Sequence, residues 1–207
     1  MDSKAHWEHV YDTKPPSRVS WFQEKPSVSL ELIAATGVGP EGAILDVGGG
    51  ASRLIDNLLD AEYAAVGVVD IAAAALRESQ QRLGEAAGQV EWFVADITSF
   101  ASPHRWDVWH DRAVFHFLTE SADRAAYRKT LFDTLAPTGD VIVAAFSLRG
   151  PPRCSGLDVM RYSPESLLAE LGPGLELVET RQEAHCTPAG AVQDFLYCRI
   201  RRLQTSD

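Results

Sequence analysis

Apolar and polar positions follow two different periods along the chain. Seven short apolar runs have the length and residue types of β-strands. They cover residues 43–47, 64–70, 90–96, 106–111, 140–146, 175–179 and 194–200. Stretches with apolar positions three or four residues apart, typical of helices, occupy 51–60, 72–83, 121–135 and the segment from Ser163 to Gly172. This alternation predicts an α/β fold with a doubly wound, seven-stranded, mostly parallel sheet.

Both ends of the chain depart from the alternation. No convincing helix separates the last two strand-like runs, which predicts an antiparallel last strand joined by a hairpin. Within the first 40 residues, positions 1–26 carry four aromatic residues among three prolines, and a short helix near 27–35 follows. We interpret residues 1–40 as an N-terminal aromatic cap over the active site and residues 41–207 as the main body of a single-domain protein.

Composition narrows the function classes. The 207 residues include 19 Lys and Arg against 29 Asp and Glu, a net charge of −10 that disfavours nucleic acid as a partner. No signal peptide and no long apolar segment is evident, so we expect a cytoplasmic protein without a membrane partner. The three cysteines lack a C-x-x-C spacing, so the sequence predicts no disulfide framework and no thiolate zinc site. His110, Asp111 and His116 lack a recognisable ligand spacing, so no metal site is predicted. The oligomeric state stays open.

A glycine-rich loop follows the first predicted strand in "AILDVGGGASRL". Ligands of open α/β sheets bind beyond the carboxyl ends of the strands, and Gly48 and Gly50 would let the backbone approach one closely. Asp70 lies 22 residues after Gly48, where it could accept hydrogen bonds from ribose hydroxyls. A dinucleotide fingerprint requires glycine where Arg53 stands, and a phosphate loop requires a lysine that is absent here. The loop therefore does not predict a phosphate ligand.

The spacing Asp46, Gly48, Gly50, Ser52 resembles the first motif of the class I S-adenosylmethionine-dependent methyltransferases. "VGVVDI" is similar to the second motif of that family, "VADI" to its third and "WDVWHDRAVFHFL" to its strand-4 motif. The resemblance implies a Rossmann-like fold. It implies that residues 41–207 form the domain that binds S-adenosyl-L-methionine and releases S-adenosyl-L-homocysteine. It implies a cofactor site formed by Trp21, Asp46, Gly48, Gly49, Gly50, Asp70, Ile71, Asp96, Ile97 and Asp111.

The chemistry of these residues agrees with a cationic donor. The donor carries a positive sulfur and an ammonium group, so carboxylates suit it and no phosphate is repelled. The resemblance places Asp70 at the ribose and Asp96 at the adenine amino group. It places Trp21 near the methionine part of the donor, although Trp21 and Phe22 could instead only anchor the cap to the core.

The strand-4 motif contains the candidate residues for acid–base catalysis on the methyl acceptor. His110, Asp111, Arg112 and His116 fall within seven residues, and an unperturbed histidine titrates near pH 6.5. His116 could instead be a packed core histidine between two phenylalanines. Asp111 and Arg112 could form a local ion pair that shapes the loop.

Candidate acceptor-binding residues lie elsewhere in the chain. They are Phe22, Cys154, Arg161, Tyr162 and His185. The loop that carries Cys154 and Arg161 could equally be a surface connection. His185 could be an ordinary turn histidine.

Two subgroups of the family are similar to this chain. Thiopurine-type small-molecule methyltransferases have D-R-G after strand 4, which Asp111 and Arg112 match and Ala113 does not. The citrate-synthase and elongation-factor lysine methyltransferases have D-K-G, so Arg112 departs as well. The favoured hypothesis is methyl transfer to a small-molecule thiol, amine or hydroxyl. The alternatives are a protein lysine N-methyltransferase and a catalytically silent S-adenosylmethionine-binding module.

Overall fold

A computed structural model of the protein describes residues 3–203. The helices in this range are α1 (Ser3–Thr13), α2 (Ser27–Ala35), α3 (Leu54–Asp60), α4 (Ala73–Leu83), α5 (Ser121–Thr134) and α6 (Pro164–Leu171). The strands are β1 (Ala43–Val47), β2 (Ala65–Asp70), β3 (Val90–Val94), β4 (Trp106–Arg112), β5 (Leu135–Phe146), β6 (Arg153–Cys154), β7 (Leu157–Asp158), β8 (Leu175–Cys186) and β9 (Val192–Arg202). Short 3₁₀ turns lie at 16–18, 84–89 and 115–117.

Seven strands form one sheet in the order β3-β2-β1-β4-β5-β9-β8. The first five of these are mutually parallel, and β9 runs antiparallel to both β5 and β8. The remaining strands, β6 and β7, make a separate two-residue hairpin that the sequence did not predict. The mostly parallel, Rossmann-like sheet with an antiparallel last strand is thereby confirmed.

The central strands are buried on both faces because helices cover both sides of the sheet. Successive residues of β1 alternate between two cores, so that Leu45 and Val47 face one and Ile44 faces the other. Helices α5 and α6 contribute Tyr127 and Leu167 to the first core. The second core receives apolar residues of α2, α3 and α4. The fold is therefore a three-layer α/β/α arrangement.

Element boundaries differ from the predicted ones where non-local pairing decides them. Helix α3 begins at Leu54 instead of 51, because the glycine loop continues through a turn before it. Strand β8 extends to Cys186 instead of 179, because it pairs along its length with the 11-residue β9. The N-cap of α6 is as predicted: the hydroxyl of Ser163 accepts a hydrogen bond from the backbone N–H of Ser166.

Helix α1 was not predicted. Its residue Glu8 caps the N-terminus of another helix, α4. Both carboxylate oxygens of Glu8 accept hydrogen bonds from the start of α4, one from Ala73 N at 2.8 Å and one from Ala74 N at 3.0 Å. The first N–H groups of a helix have no partner within the helix, and Ala72 offers no side-chain cap. The N-terminal segment is therefore hydrogen-bonded to the start of α4, shortly after the end of β2. No helix in residues 3–203 has the length and apolar character needed to cross a membrane.

Candidate active site

A cleft opens at the carboxyl ends of the parallel strands, around the point between β1 and β4 where the strand order reverses. On one side of β1, which we call the aspartate side, it is lined by Asp70, Ile71, Asp96 and Ile97. On the other, the arginine side, it is lined by Arg112, Phe117 and Cys154. The N-terminal segment adds Trp7, Tyr11 and Trp21.

The glycine loop approaches the cleft because it lacks side chains. Gly48 has φ +66° and Gly50 has φ +37°, a region that favours glycine. A Cβ atom on Gly48 would overlap the side chain of Val114. A Cβ on Gly50 would lie 2.7 Å from Oδ2 of Asp70. Larger residues at either position would push the loop away from its neighbours.

Asp70 ends β2 with one carboxylate oxygen committed and the other facing the glycine loop. Its Oδ1 accepts a hydrogen bond from Ala72 N at 2.8 Å, while Oδ2 points towards Gly50. Burial raises the pKa of Asp70 to about 7, and the carboxylates of Asp46 and Glu8 add to the effect, against the hydrogen bond from Ala72. A ligand hydroxyl that donates to this carboxylate would relieve the cost of burying its charge.

Asp96 lies at the end of the neighbouring strand and is exposed. Its Oδ1 accepts hydrogen bonds from the backbone N–H of Thr98 at 2.9 Å and from the hydroxyl of Thr98 at 2.7 Å. This turn holds the Asp96 side chain at the rim of the aspartate side.

A buried hydrogen-bonded chain lies beneath the glycine loop. The two ring nitrogens of His110 contact Asp46 and Ser29: Nδ1 lies 2.7 Å from Oδ1 of Asp46, and Nε2 lies 2.9 Å from the hydroxyl of Ser29. All three side chains are buried. His110 and Asp46 line a smaller adjoining pocket together with Phe22 and Gly49, and they are absent from the lining of the main cleft. These hydrogen bonds connect α2, which carries Ser29, to β1 and β4, which carry Asp46 and His110.

Arg112 connects the end of β4 to the N-terminal segment. Its Nε donates to the hydroxyl of Tyr197 at 2.9 Å and its Nη1 to the carbonyl of Trp21 at 2.8 Å. The guanidinium carbon lies 4.6 Å from the centre of the Phe195 ring. No ion pair with Asp111 is formed; Oε2 of Glu183 lies 3.7 Å from Nη2.

Asp111 and His116 are buried outside the lining of the cleft. Asp111 accepts hydrogen bonds from the hydroxyl of Tyr127 at 2.7 Å and from the backbone of the turn after β4; burial raises its pKa to about 6. The Nδ1 of His116 accepts from Phe146 N at 3.3 Å, and burial lowers the pKa of His116 to about 3. Both residues hold the turn that follows β4.

The predicted acceptor-binding residues are dispersed. Cys154 lines the arginine side, and burial raises the pKa of its thiol. Tyr162 is buried against Phe115. Arg161 is exposed and near carbonyls of the loop after β5. His185 Nε2 lies 2.8 Å from the carbonyl of Ser20. Of these, the cleft contains Cys154 alone.

The structure also brings in residues that the sequence did not assign to the site. Trp7, Tyr11 and Phe117 line the cleft, and Trp7 contacts both Trp21 and Phe117 edge-to-face, with ring centres 5.7 and 4.9 Å apart. The sequence signal for Trp7 and Tyr11 was the density of aromatic residues in the N-terminal segment, and Phe117 lies within the strand-4 motif. Residues 3–203 contain no group of three or more His, Cys, Asp or Glu side chains placed to hold a metal ion.

Comparison with known proteins finds a family match over the strands that border the cleft. Residues 45–141, which contain the glycine loop, Asp70, Asp96 and Arg112, match the model of a family described as methyltransferase domain. This part of the chain is a methyltransferase domain. The predicted enzyme class, a methyltransferase, is thereby confirmed, and the predicted S-adenosylmethionine cofactor agrees with solved structures of similar fold that hold S-adenosyl-L-homocysteine or sinefungin. No curated protein sequence matches the chain.

Solved structures share the fold of this methyltransferase at low sequence identity. The N-methyltransferase NodS from Bradyrhizobium japonicum WM9 in complex with S-adenosyl-L-homocysteine is 18% identical, with 98% of this chain and 99% of that chain covered and a TM-score of 0.73. The 1,6-didemethyltoxoflavin-N1-methyltransferase of Burkholderia thailandensis is 21% identical, with 98% and 84% covered and a TM-score of 0.68. A methyltransferase from Anabaena variabilis is 13% identical, with 98% and 96% covered and a TM-score of 0.73.

Proposed function

We propose that this methyltransferase transfers a methyl group to a small-molecule nucleophile, a thiol, an amine or a hydroxyl. The observation that carries the proposal is the aromatic wall of the cleft. Trp7 and Trp21 from the N-terminal segment contact each other, and Trp7 contacts Phe117 of the turn after β4. Residues 1–40 would thus act as a cap that encloses a small acceptor. The Burkholderia protein, crystallised with 1,6-didemethyltoxoflavin bound, offers a parallel.

The aspartate side would hold the methyl donor. Asp70 would accept hydrogen bonds from the ribose hydroxyls, Asp96 would face the adenine amino group, and Ile71 and Ile97 would flank the ring. Gly48, which lines the cleft without a side chain, would leave room for the methionine part. Two carboxylates of the cleft, those of Asp70 and Asp96, suit the positive charge of this donor, while that of Asp46 lies beneath the glycine loop. When bound, the donor supplies a methyl group already activated by its sulfonium sulfur.

The protein's part in the reaction would then be positioning. Holding the acceptor atom in line with the transferable methyl is the main requirement of such a transfer. Trp21 and Phe117 would orient the acceptor against the donor. Within residues 3–203 the main cleft is lined by no histidine, so the acceptor is expected to react as a nucleophile that is already unprotonated.

Labelling of a fractionated lysate tests the class of acceptor. The protein is incubated with methyl-labelled S-adenosylmethionine and a cell lysate, which is then separated into macromolecules and small molecules. We expect label in the small-molecule fraction together with release of S-adenosylhomocysteine. Label in protein alone would support a lysine methyltransferase instead.

A variant with a damaged donor site provides the control. Asp70→Ala should reduce labelling in every fraction if transfer depends on the aspartate side. Donor binding without release of S-adenosylhomocysteine in any fraction would favour a catalytically silent module and contradict the proposal.

A further inference from the structure

The guanidinium of Arg112 is fixed in one orientation. Two of its three nitrogens are used, Nε by the hydroxyl of Tyr197 and Nη1 by the carbonyl of Trp21. The ring of Phe195 lies against its face. Only 10% of the side chain is exposed. An arginine held in this way presents its remaining nitrogen in a defined direction with little loss of entropy on binding a ligand.

The remaining nitrogen of Arg112 is buried without a hydrogen-bond partner. Nη2 donates to no atom within residues 3–203. The nearest carboxylate oxygen belongs to Glu183, 3.7 Å away, and that oxygen accepts from Tyr197 at 2.8 Å while the other accepts from Gln23 at 2.6 Å. A buried N–H without an acceptor is costly, so it indicates a missing acceptor atom. Arg112 lines the cleft, where a ligand can supply that atom.

The surroundings of Arg112 define the rest of the ligand. Trp7, Trp21 and Phe117 form an aromatic wall whose rings meet edge-to-face, which suits a flat apolar ring. Cys154 lines the same side, and burial raises the pKa of its thiol, so this residue adds no negative charge at neutral pH. The carboxylates of Asp70 and Asp96 lie across β1 on the aspartate side.

We propose that the arginine side binds an aromatic or heteroaromatic acceptor that carries an anionic oxygen group, and that Nη2 of Arg112 donates to this oxygen. The inference rests on the proposed small-molecule methyltransferase and specifies its acceptor. A hydrogen bond between two charged groups is stronger than one between neutral groups, so the anion would be selected over a neutral ring.

A pair of matched probes tests this inference directly. The protein is saturated with S-adenosylhomocysteine and titrated by calorimetry with 2-naphthoate and with its neutral analogue 2-naphthamide. We expect naphthoate to bind at least tenfold more tightly. Equal affinities, tighter binding of the amide, or binding of neither probe would overturn the inference.

Variants assign the preference to Arg112. Arg112→Met should abolish the preference for naphthoate. Because Arg112 also holds Trp21, a second variant keeps the arginine: Cys154→Asp places a competing carboxylate on the arginine side and should reduce the preference at least fivefold. Cys154→Asn, equal in size and uncharged, should retain it. A preference that survives in both Arg112→Met and Cys154→Asp would overturn the assignment.

The two proposals fail in different ways. Label that enters only protein in the lysate assay, with the naphthoate preference intact, contradicts the small-molecule acceptor. Label that enters small molecules while naphthoate and naphthamide bind equally contradicts only the anionic acceptor.

Discussion

The aspartate side of the cleft and its arginine side are held in place by different parts of the chain. Asp70 and Asp96 each receive hydrogen bonds from backbone N–H groups two residues further on. Arg112 is held by Trp21 and Tyr197, which are 91 and 85 residues away in sequence. Local turns therefore build the side that we assign to the donor, whereas contacts between distant elements build the side that we assign to the acceptor.

This difference has a physical consequence for specificity. The donor side depends on strand ends and the turns that follow them. Its geometry can therefore persist when residues elsewhere in the chain are substituted. The position of Arg112 depends on the N-terminal segment and on β9 together, so the acceptor side can be altered without altering the donor side. Mutations on one side should then leave binding on the other side nearly unchanged.

The largest expected loss of stability comes from disrupting the buried hydrogen bonds that link Ser29, His110 and Asp46 beneath the glycine loop. His110→Leu removes the partner of Asp46 and the partner of Ser29, which leaves a buried carboxylate unpaired. We expect a loss of about 3–5 kcal/mol in the free energy of unfolding, measured by denaturant titration. Ser29→Ala, which removes one hydrogen bond, should cost only about 0.5–1.5 kcal/mol. Similar costs for the two variants would contradict a central role for His110.

Removing the carboxylate of Asp70 should affect the donor side alone. Asp70→Ala is expected to weaken donor binding by about 1.5–3 kcal/mol, or roughly tenfold to more than a hundredfold, because the ribose hydrogen bonds are lost. Calorimetry with S-adenosylhomocysteine measures the change. Asp123→Asn, an exposed carboxylate that lines the same cleft, is the control and should change the affinity less than about threefold. Unchanged affinity in Asp70→Ala would refute the placement of the ribose.

The same aspartate should make the protein less stable as pH rises. Burial raises the pKa of Asp70 to about 7 in the folded state, above its ordinary value of 3.8, so folding favours the protonated form. Stability from this group is present below pH 3.8 and is lost as pH rises through 7. Asp70→Asn cannot ionise, so its advantage in melting temperature over the wild type should grow from pH 5 to pH 8.

At pH 8 the free energy of unfolding of Asp70→Asn should exceed that of the wild type by an amount on the order of 1–3 kcal/mol. Asp96→Asn, which changes an exposed carboxylate at the same cleft, should show no such pH-dependent gain. An advantage of Asp70→Asn that is constant with pH would show that a different effect is responsible.

The smallest effect is expected on the arginine side. Tyr197→Phe removes the acceptor of Arg112 Nε and the donor to Glu183, so the guanidinium gains freedom. We expect naphthoate to bind about two- to tenfold more weakly, the value of one hydrogen bond, while the affinity for S-adenosylhomocysteine stays within about twofold. A parallel loss of donor affinity would show that the two sides are coupled.

Much of the fold could be predicted because its signals are local. The seven sheet strands, the helix at 27–35 and the Ser163 cap each depend on residues close together in sequence. The long β8 was underestimated, because its polar outer half becomes a strand only by pairing with β9. Helix α1 was missed, because its few apolar residues give a weak helical pattern and its Glu8 acts on α4, 65 residues away.

The candidate site divides in the same way. The glycine loop and Asp70 were found from their spacing and Asp96 from the family resemblance, and all lie at strand ends around the cleft. Spacing could not distinguish Arg112, which lines the cleft, from Asp111 and His116, which are buried beside it. Adjacent residues of a strand point to opposite faces, so small offsets in position decide which side chain reaches the ligand.

The sequence by itself determined the order of strands and helices, the glycine loop and the carboxylates at the strand ends, because each follows from local backbone preferences. Only the tertiary structure decided which side chains of distant elements meet. It joined Ser29 to His110 and Asp46, Trp21 to Arg112, and Glu8 to α4. Such contacts depend on how distant elements pack, and no residue spacing encodes them.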